Sequence, residues 1–165
     1  MIKKNKLPRS FYTRDTITVA KDLLGKYIVR QAGKNKLFGK IVETEAYIGP
    51  RDKASHAYNG KRTKRNEAEY LVGGHVYIYL VYGMYWQFNI STSVRGRPEC
   101  VLIRALEVSD SEDKKIASGP GKLCRYLRLD KSFYGEDVTA SKSLWLENRG
   151  DLVKPRDFKA TARIG

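Results

Sequence analysis

The spacing of apolar positions changes near Gly25. Before it, Val19, Leu23 and Leu24 fall at helical intervals behind Asp15. That pattern predicts a helix ending at about Leu24, with Asp15 as its cap and Gly25 at its exit. Beyond Gly25 come segments rich in β-branched and aromatic residues, bounded by Gly, Asn or Pro: Tyr27–Arg30, Leu37–Tyr47, His75–Tyr82, Gln87–Ser93 and Cys100–Leu106. These predict strands. Ser118-Gly119-Pro120 opens a second helix running through Leu123, Tyr126 and Leu127, since Pro suits a first helical position. A short late strand covers Ser143–Glu147. The strand run lacks the regular helix alternation of a parallel α/β fold. The expected architecture is mixed α/β, a largely antiparallel sheet with a few helices around it.

Composition narrows this picture. The chain has 165 residues, which suits one domain, and 41% of them are hydrophobic, enough for a core. No run of about 18 apolar residues occurs, so no transmembrane helix is expected. The N-terminus, Met1 to Lys6, is basic, but Leu7-Pro8-Arg9-Ser10 follows instead of an apolar segment, so no secretory signal is expected. Cys100 and Cys124 have neither disulfide-framework nor metal-site spacing, which fits a reducing cytoplasm.

Charge points to a partner. Thirty-two basic residues against 18 acidic ones leave a net charge of 32 − 18 = +14. Such an excess suits a polyanion, nucleic acid first and an anionic membrane surface second. Arg51, Lys53, Lys61, Arg62, Lys64 and Arg65 cluster in one stretch with a single acid, Asp52. Asn59 and Gly60 mark it as loop. A merely solvated loop is the plain alternative. Membrane binding would need an apolar stripe beside the cations, and the stretch has none.

Three strands carry unusual residues. With strict alternation, one face of Leu37–Tyr47 reads Ile41, Glu43, Glu45, Tyr47 and the other Val42, Thr44, Ala46. Two carboxylates then lie beside an aromatic ring, either as ordinary surface or as a site. Arg104 interrupts the apolar run Val101–Leu106, and such runs suit strands buried on both faces. A buried guanidinium needs carboxylates or carbonyls, and Glu43 and Glu45 are the candidate partners, structural or catalytic. Asn89 shares a face with Gln87 and Ser91 and can read a base edge or satisfy backbone groups. Tyr77 and Tyr79 share a strand face, whereas Tyr82 sits at a strand end beside Gly83, placed to protrude. A protruding ring can stack on bases or wedge into a duplex.

Taken together, several stretches resemble the alkyladenine (N-methylpurine, or 3-methyladenine) DNA glycosylase family. They are Ile41 to Pro50, Asp52 to His56, Arg65-Asn66, Tyr77 to Tyr85, Asn89-Ile90-Ser91, Val101 to Glu107, Ala117 to Cys124 and Lys131-Ser132-Phe133. The resemblance runs from about Leu7 to the last residue. It implies a curved antiparallel sheet in a single compact domain over residues 1–165, with no metal and no cofactor. By position, Glu45 matches the general base and Arg104 the arginine that helps hold the attacking water. Tyr47, His56 and Tyr79 match the base pocket, with the His56 amide as a donor, and Asn89 matches the side chain that disfavours an ordinary guanine amino group. Tyr82 matches the intercalating residue. The DNA-contacting set is Lys61, Arg65, Met84, Tyr85, Lys122 and Lys131. Glu69-Tyr70 and Gly73-Gly74 stand where family members often carry Met-Phe and Pro-Gly. Val108 replaces an expected Pro. A Trp- and Arg-containing segment expected after Arg163-Ile164-Gly165 is absent from this chain, which leaves either a fragment or an unprotected sheet edge.

The implied function is base-excision repair. A monofunctional glycosylase would flip alkylated or deaminated purines out of double-stranded DNA and hydrolyse the N-glycosidic bond, leaving an abasic site. No lysine in the pocket motifs could form an imine. The expected protein is a cytoplasmic, prokaryotic monomer, associated with the nucleoid when bound to DNA. The alternative is a non-catalytic nucleic-acid-binding domain, which would not need Glu45 opposite Arg104.

Overall fold

Leu7 and Tyr12 begin the core that the rest of the chain completes. The computed structural model describes residues 5–163, so the first four residues of the basic N-terminus and the last two residues of the chain lie outside the described part. Helix α1 (Arg9–Tyr12) is a single turn with no amphipathic signal of its own, anchored by the fully buried Tyr12. Helix α2 (Thr16–Leu23) is the predicted one. The Asp15 carboxylate caps it by accepting from the Thr18 N–H at 2.9 Å, and Thr16, Val19, Ala20 and Leu23 form its buried face. Gly25, at φ +80°, reverses the chain where an added Cβ would fall 2.7 Å from Val153.

Strands β1 (Tyr27–Ala32) and β2 (Asn35–Tyr47) form a hairpin. Strands β3 (Val76–Val81) and β4 (Tyr85–Ser91) form a second one, and β5 (Cys100–Glu107) lies between β4 and β2. Helix α3 (Pro120–Leu127) starts at the predicted proline, and β6 (Leu144–Glu147) pairs with β1. The sheet order is β3-β4-β5-β2-β1-β6, antiparallel throughout and curled into half a barrel. The outer edges carry backbone partners. Leu7 N–H donates to Leu146 O beside β6, and Val76 N–H donates to Glu136 O beside β3. Both outer strands are thus partly paired along their edges.

Alternation divides the sheet. Val76, Ile78, Phe88, Ile90, Val101 and Ile103 join α2 and α3 in the main core. Their neighbours Tyr77, Tyr79, Asn89, Cys100 and Arg104 project to the other face. There Ala68, Tyr77 and Cys100 form a small second cluster, with Tyr47, Tyr79 and Tyr134 packed on it. In β2 the strict alternation fails. The pairing with β5 slips around Glu43, a β-bulge. Ile41 is fully buried in the main core, while Thr44 Oγ1 donates to Ala20 O of α2. The bulge thus returns Ile41 to the core face and leaves Glu45 and Tyr47 on the other.

Candidate active site

The second face of the sheet carries a linked set of polar groups. Arg104 Nε donates to Glu43 Oε1 and its Nη1 to Glu45 Oε2, both at 2.9 Å. One planar fork thus spans both carboxylates. The two acids differ in surroundings: the Glu43 side chain is 57% exposed, that of Glu45 16%. Glu45 Oε1 also accepts from the Tyr47 hydroxyl. Burial, reinforced by that bond to Glu45, raises the Tyr47 phenol well above its ordinary value and keeps it a donor. The Arg104 side chain is 36% exposed, so the expectation of burial on both faces holds for its strand neighbours but not for Arg104.

Beside Glu45 lies a cleft lined by Tyr47, Ala54, His56, Glu69, Tyr77, Tyr79, Asn89 and Cys100. All four pocket residues expected from the sequence, Tyr47, His56, Tyr79 and Asn89, meet there. The His56 and Tyr79 rings contact edge to face at 4.7 Å, and Tyr77 and Tyr79 lie 5.1 Å apart. His56 Nδ1 is 2.6 Å from the Tyr77 hydroxyl. Burial, then the charges of Arg65 and Lys61, lowers the His56 pKa below its ordinary value and favours the neutral ring. Burial keeps the Tyr77 phenol protonated, so its hydroxyl donates to Nδ1 and the imidazole proton sits on Nε2. Asn89 is buried, and its amide donates to Tyr77 O at 3.1 Å and Gln87 O at 3.2 Å. Of its two possible roles, the amide donors therefore serve the backbone.

The cleft also depends on residues that strand patterns did not reveal. In the sequence Asp52 is the one acid of a basic loop and opens the Asp52 to His56 stretch, with no role assigned to it. It is buried, and accepts from Ile48 N–H and Ala54 N–H at 3.1 Å. Arg163 closes on it with two bonds, at 2.6 and 2.5 Å, and donates a third to Ala46 O. Arg163, with help from the two amides, holds Asp52 below the usual carboxylate range. The same guanidinium sits 4.8 Å over the Tyr47 ring. Asp52 thus shapes the turn that delivers Ala54 and His56 to the cleft. Glu69 and Cys100, also unassigned by sequence, form the wall beside Asn89. Both cysteines are free and buried, and no group of three or more potential metal-ligating His, Cys, Asp or Glu side chains occurs among the described residues.

Tyr82 stands at the tip of the β3–β4 hairpin, 86% exposed and at φ +52°. A bulky residue in that left-handed region is strained, and here it presents an aromatic ring to solvent. Met84 and Tyr85 beside it are exposed too. Arg65 donates to Leu80 O, with its guanidinium 5.4 Å from the Tyr79 ring, placing one cation of the basic loop beside the cleft. Lys61 is exposed in that loop, which forms short turns rather than a long helix. Lys122 lines a second, wider cleft with Lys115, Arg125 and Arg128 and one acid, Asp113. Lys131 is exposed at the start of a single 3-10 turn. No helix among the described residues is long and apolar enough to cross a membrane.

The methylpurine-DNA glycosylase family model matches residues 10–165. A protein of Carboxydothermus hydrogenoformans is 45% identical over 170 residues, covering 96% of this chain and 87% of its own. One from Natranaerobius thermophilus is 43% identical over 159 residues, covering 88% and 80%. Another, from Clostridium botulinum strain Loch Maree, is 43% identical over 181 residues, covering 97% and 87%. All three carry the provisional name 3-methyladenine DNA glycosylase.

Proposed function

The chain belongs to the methylpurine-DNA glycosylase family, and from that premise we propose that it removes damaged purines from duplex DNA by hydrolysing the N-glycosidic bond. The observation that carries this function is Glu45, held between Tyr47 and Arg104 at the edge of an aromatic cleft.

In the proposed mechanism the target nucleotide is flipped into the cleft, where its base stacks against Tyr47, Tyr79 and His56. Alkylated purines are electron-poor and often cationic, so ring faces favour them. The His56 backbone N–H makes no hydrogen bond among the described residues and is the donor for the base. Asn89, locked by its two carbonyl partners, excludes an extra amino group by bulk rather than by its donors. Glu45 takes a proton from water as the water oxygen bonds to C1′. The C1′–N bond breaks and its electron pair leaves with the base. Arg104 orients Glu45 and the water. Among the described residues no lysine lines the cleft to form an imine, so the enzyme leaves the strand intact at an abasic site.

Tyr82 fills the gap left by the flipped base, with Met84 and Tyr85 against the neighbouring nucleotides. Lys61, Arg65, Lys122 and Lys131 contact phosphates. The enzyme acts as a monomer on nucleoid DNA in the cytoplasm. A non-catalytic DNA-binding role is disfavoured, because it gives no reason to hold a half-buried carboxylate between two donors. The test is incubation with a duplex containing one alkylated purine. Free base should appear, and the strand should break only after alkali. Binding without base release would overturn the proposal.

A further inference from the structure

Glu69 is the carboxyl in the cleft that the mechanism does not use. It comes from the short 3-10 turn Glu67–Tyr70, is 2% exposed, and lines the same cleft as Tyr47, His56, Tyr79 and Asn89. Its Oε2 accepts from Asn66 Nδ2 at 3.2 Å and its Oε1 from the Cys100 thiol at 3.6 Å. Both partners are neutral. Among the described residues no Lys, Arg or His forms an ion pair with it. A desolvated carboxylate with no counter-charge is costly, and it either takes a proton or waits for a cation.

We propose that Glu69 is a specificity-determining residue that selects flipped bases by charge: ionised, it favours a cationic N-alkylated purine, and protonated, it tolerates a neutral base. This rests on the proposed function, because the ligand of the cleft is taken to be a purine. A base filling the cleft expels the remaining water and strengthens any charge interaction inside. A cationic ring supplies the counter-charge that the protein withholds. A neutral ring forces Glu69 to keep its proton.

The surroundings leave this switch to Glu69. Cys100 from β5, Tyr77 and Tyr79 from β3, Tyr70 in its own turn and the adjoining Tyr134 are all held above their ordinary values, chiefly by burial, and stay protonated near neutrality. His56 across the cleft is pushed down towards its neutral form. Burial pushes Glu69 itself up to about 7, against the opposing bonds from Cys100 and Asn66.

The experiment compares single-turnover release of 7-methyladenine, whose nucleotide has no N1–H to lose and stays cationic at both pH values, with release of hypoxanthine, a neutral base, at pH 6 and pH 8. The wild type and Glu69→Gln are measured side by side, and melting curves confirm folding. Dividing the two preference ratios cancels the titration of the substrates and of Glu45. At pH 8 the wild type should prefer the cationic base about tenfold more than the variant does, the scale of a one-unit shift. At pH 6 the two proteins should agree within about twofold, because Glu69 is then protonated. Equal ratios at both pH values would overturn the proposal. Glu69→Met, also neutral, replaces Glu69→Gln if the latter unfolds and should give the same loss. If the wild type releases neither base, the glycosylase function itself fails, which is a distinct result.

Discussion

The Tyr47 hydroxyl donates to Glu45, two positions earlier on the same strand face. The residue proposed to stack on the base thus also steers the carboxylate proposed to activate water. Glu43, on the outer side of the Arg104 fork, has no such link to the cleft. Glu45→Gln keeps the shape but removes the base, so single-turnover release should fall about a hundredfold or more while lesion binding persists. Glu43→Gln should stay within a few-fold of wild type. Reversal of this order, with both variants folded, would overturn the assignment.

Tyr82 separates binding from stability. Tyr82→Gly relieves a left-handed backbone at about 1 kcal/mol and loosens the unfolded chain by a similar amount. Its melting temperature should therefore lie within about 3 °C of wild type. Lesion-duplex affinity should fall by roughly 1–3 kcal/mol, the scale of one stacked aromatic. A collapse in melting temperature would place Tyr82 among structural residues instead.

Salt should weaken binding to an undamaged duplex steeply, as expected for a chain of net charge +14. In a plot of log affinity against log salt, Lys61→Ala, Arg65→Ala, Lys122→Ala and Lys131→Ala should each reduce the slope by about 1 if that cation meets a phosphate. Unchanged slopes would remove those residues from the interface.

The Asp52–Arg163 pair joins the pocket loop to the far end of the chain. Arg163→Ala should cost about 2 kcal/mol at pH 7, the scale of lost charge-assisted hydrogen bonds to a buried acid. It should also slow base release by freeing the turn that carries His56. Asp52 has a lowered folded-state pKa, so the pair stabilises above the unfolded value of 3.8 and loses its effect as pH falls through the folded value. The gap in melting temperature between wild type and variant should therefore close in acid. A gap independent of pH would argue against Asp52 as the partner that matters.

Glu69 gives the opposite slope. Its folded-state pKa lies above its ordinary value of 4.5, at about 7. Its stabilising contribution is thus complete below 4.5 and is lost as pH rises through 7. The loss is on the order of 3 kcal/mol, from roughly 1.4 kcal/mol per pKa unit. Urea unfolding of Glu69→Gln between pH 4.5 and 8 should lack this decline. A parallel decline in both proteins would assign it to another group.

Local patterning by itself determined the strands, the two principal helices and which residues share the face on which the proposed chemistry lies. A pleated strand alternates whatever it packs against, so Tyr77 with Tyr79, and Glu45 with Tyr47, share a face from sequence alone. The Asp15 cap and the Pro120 helix start were likewise local. The family resemblance supplied the expected roles of Glu45, Arg104 and the pocket residues, but periodicity could not choose between Glu43 and Glu45. Tertiary structure separated their surroundings, because Arg104 reaches both from the neighbouring strand β5 and only Glu45 also touches Tyr47. The bulge that sends Ile41 into the core depends on pairing with β5, and no local propensity announces it. Asp52 and Arg163 are 111 positions apart, and Glu69 and Cys100 are 31 apart. A charged side chain acquires its pKa and its role from whatever folding packs against it, and for these residues the partners come from distant parts of the chain.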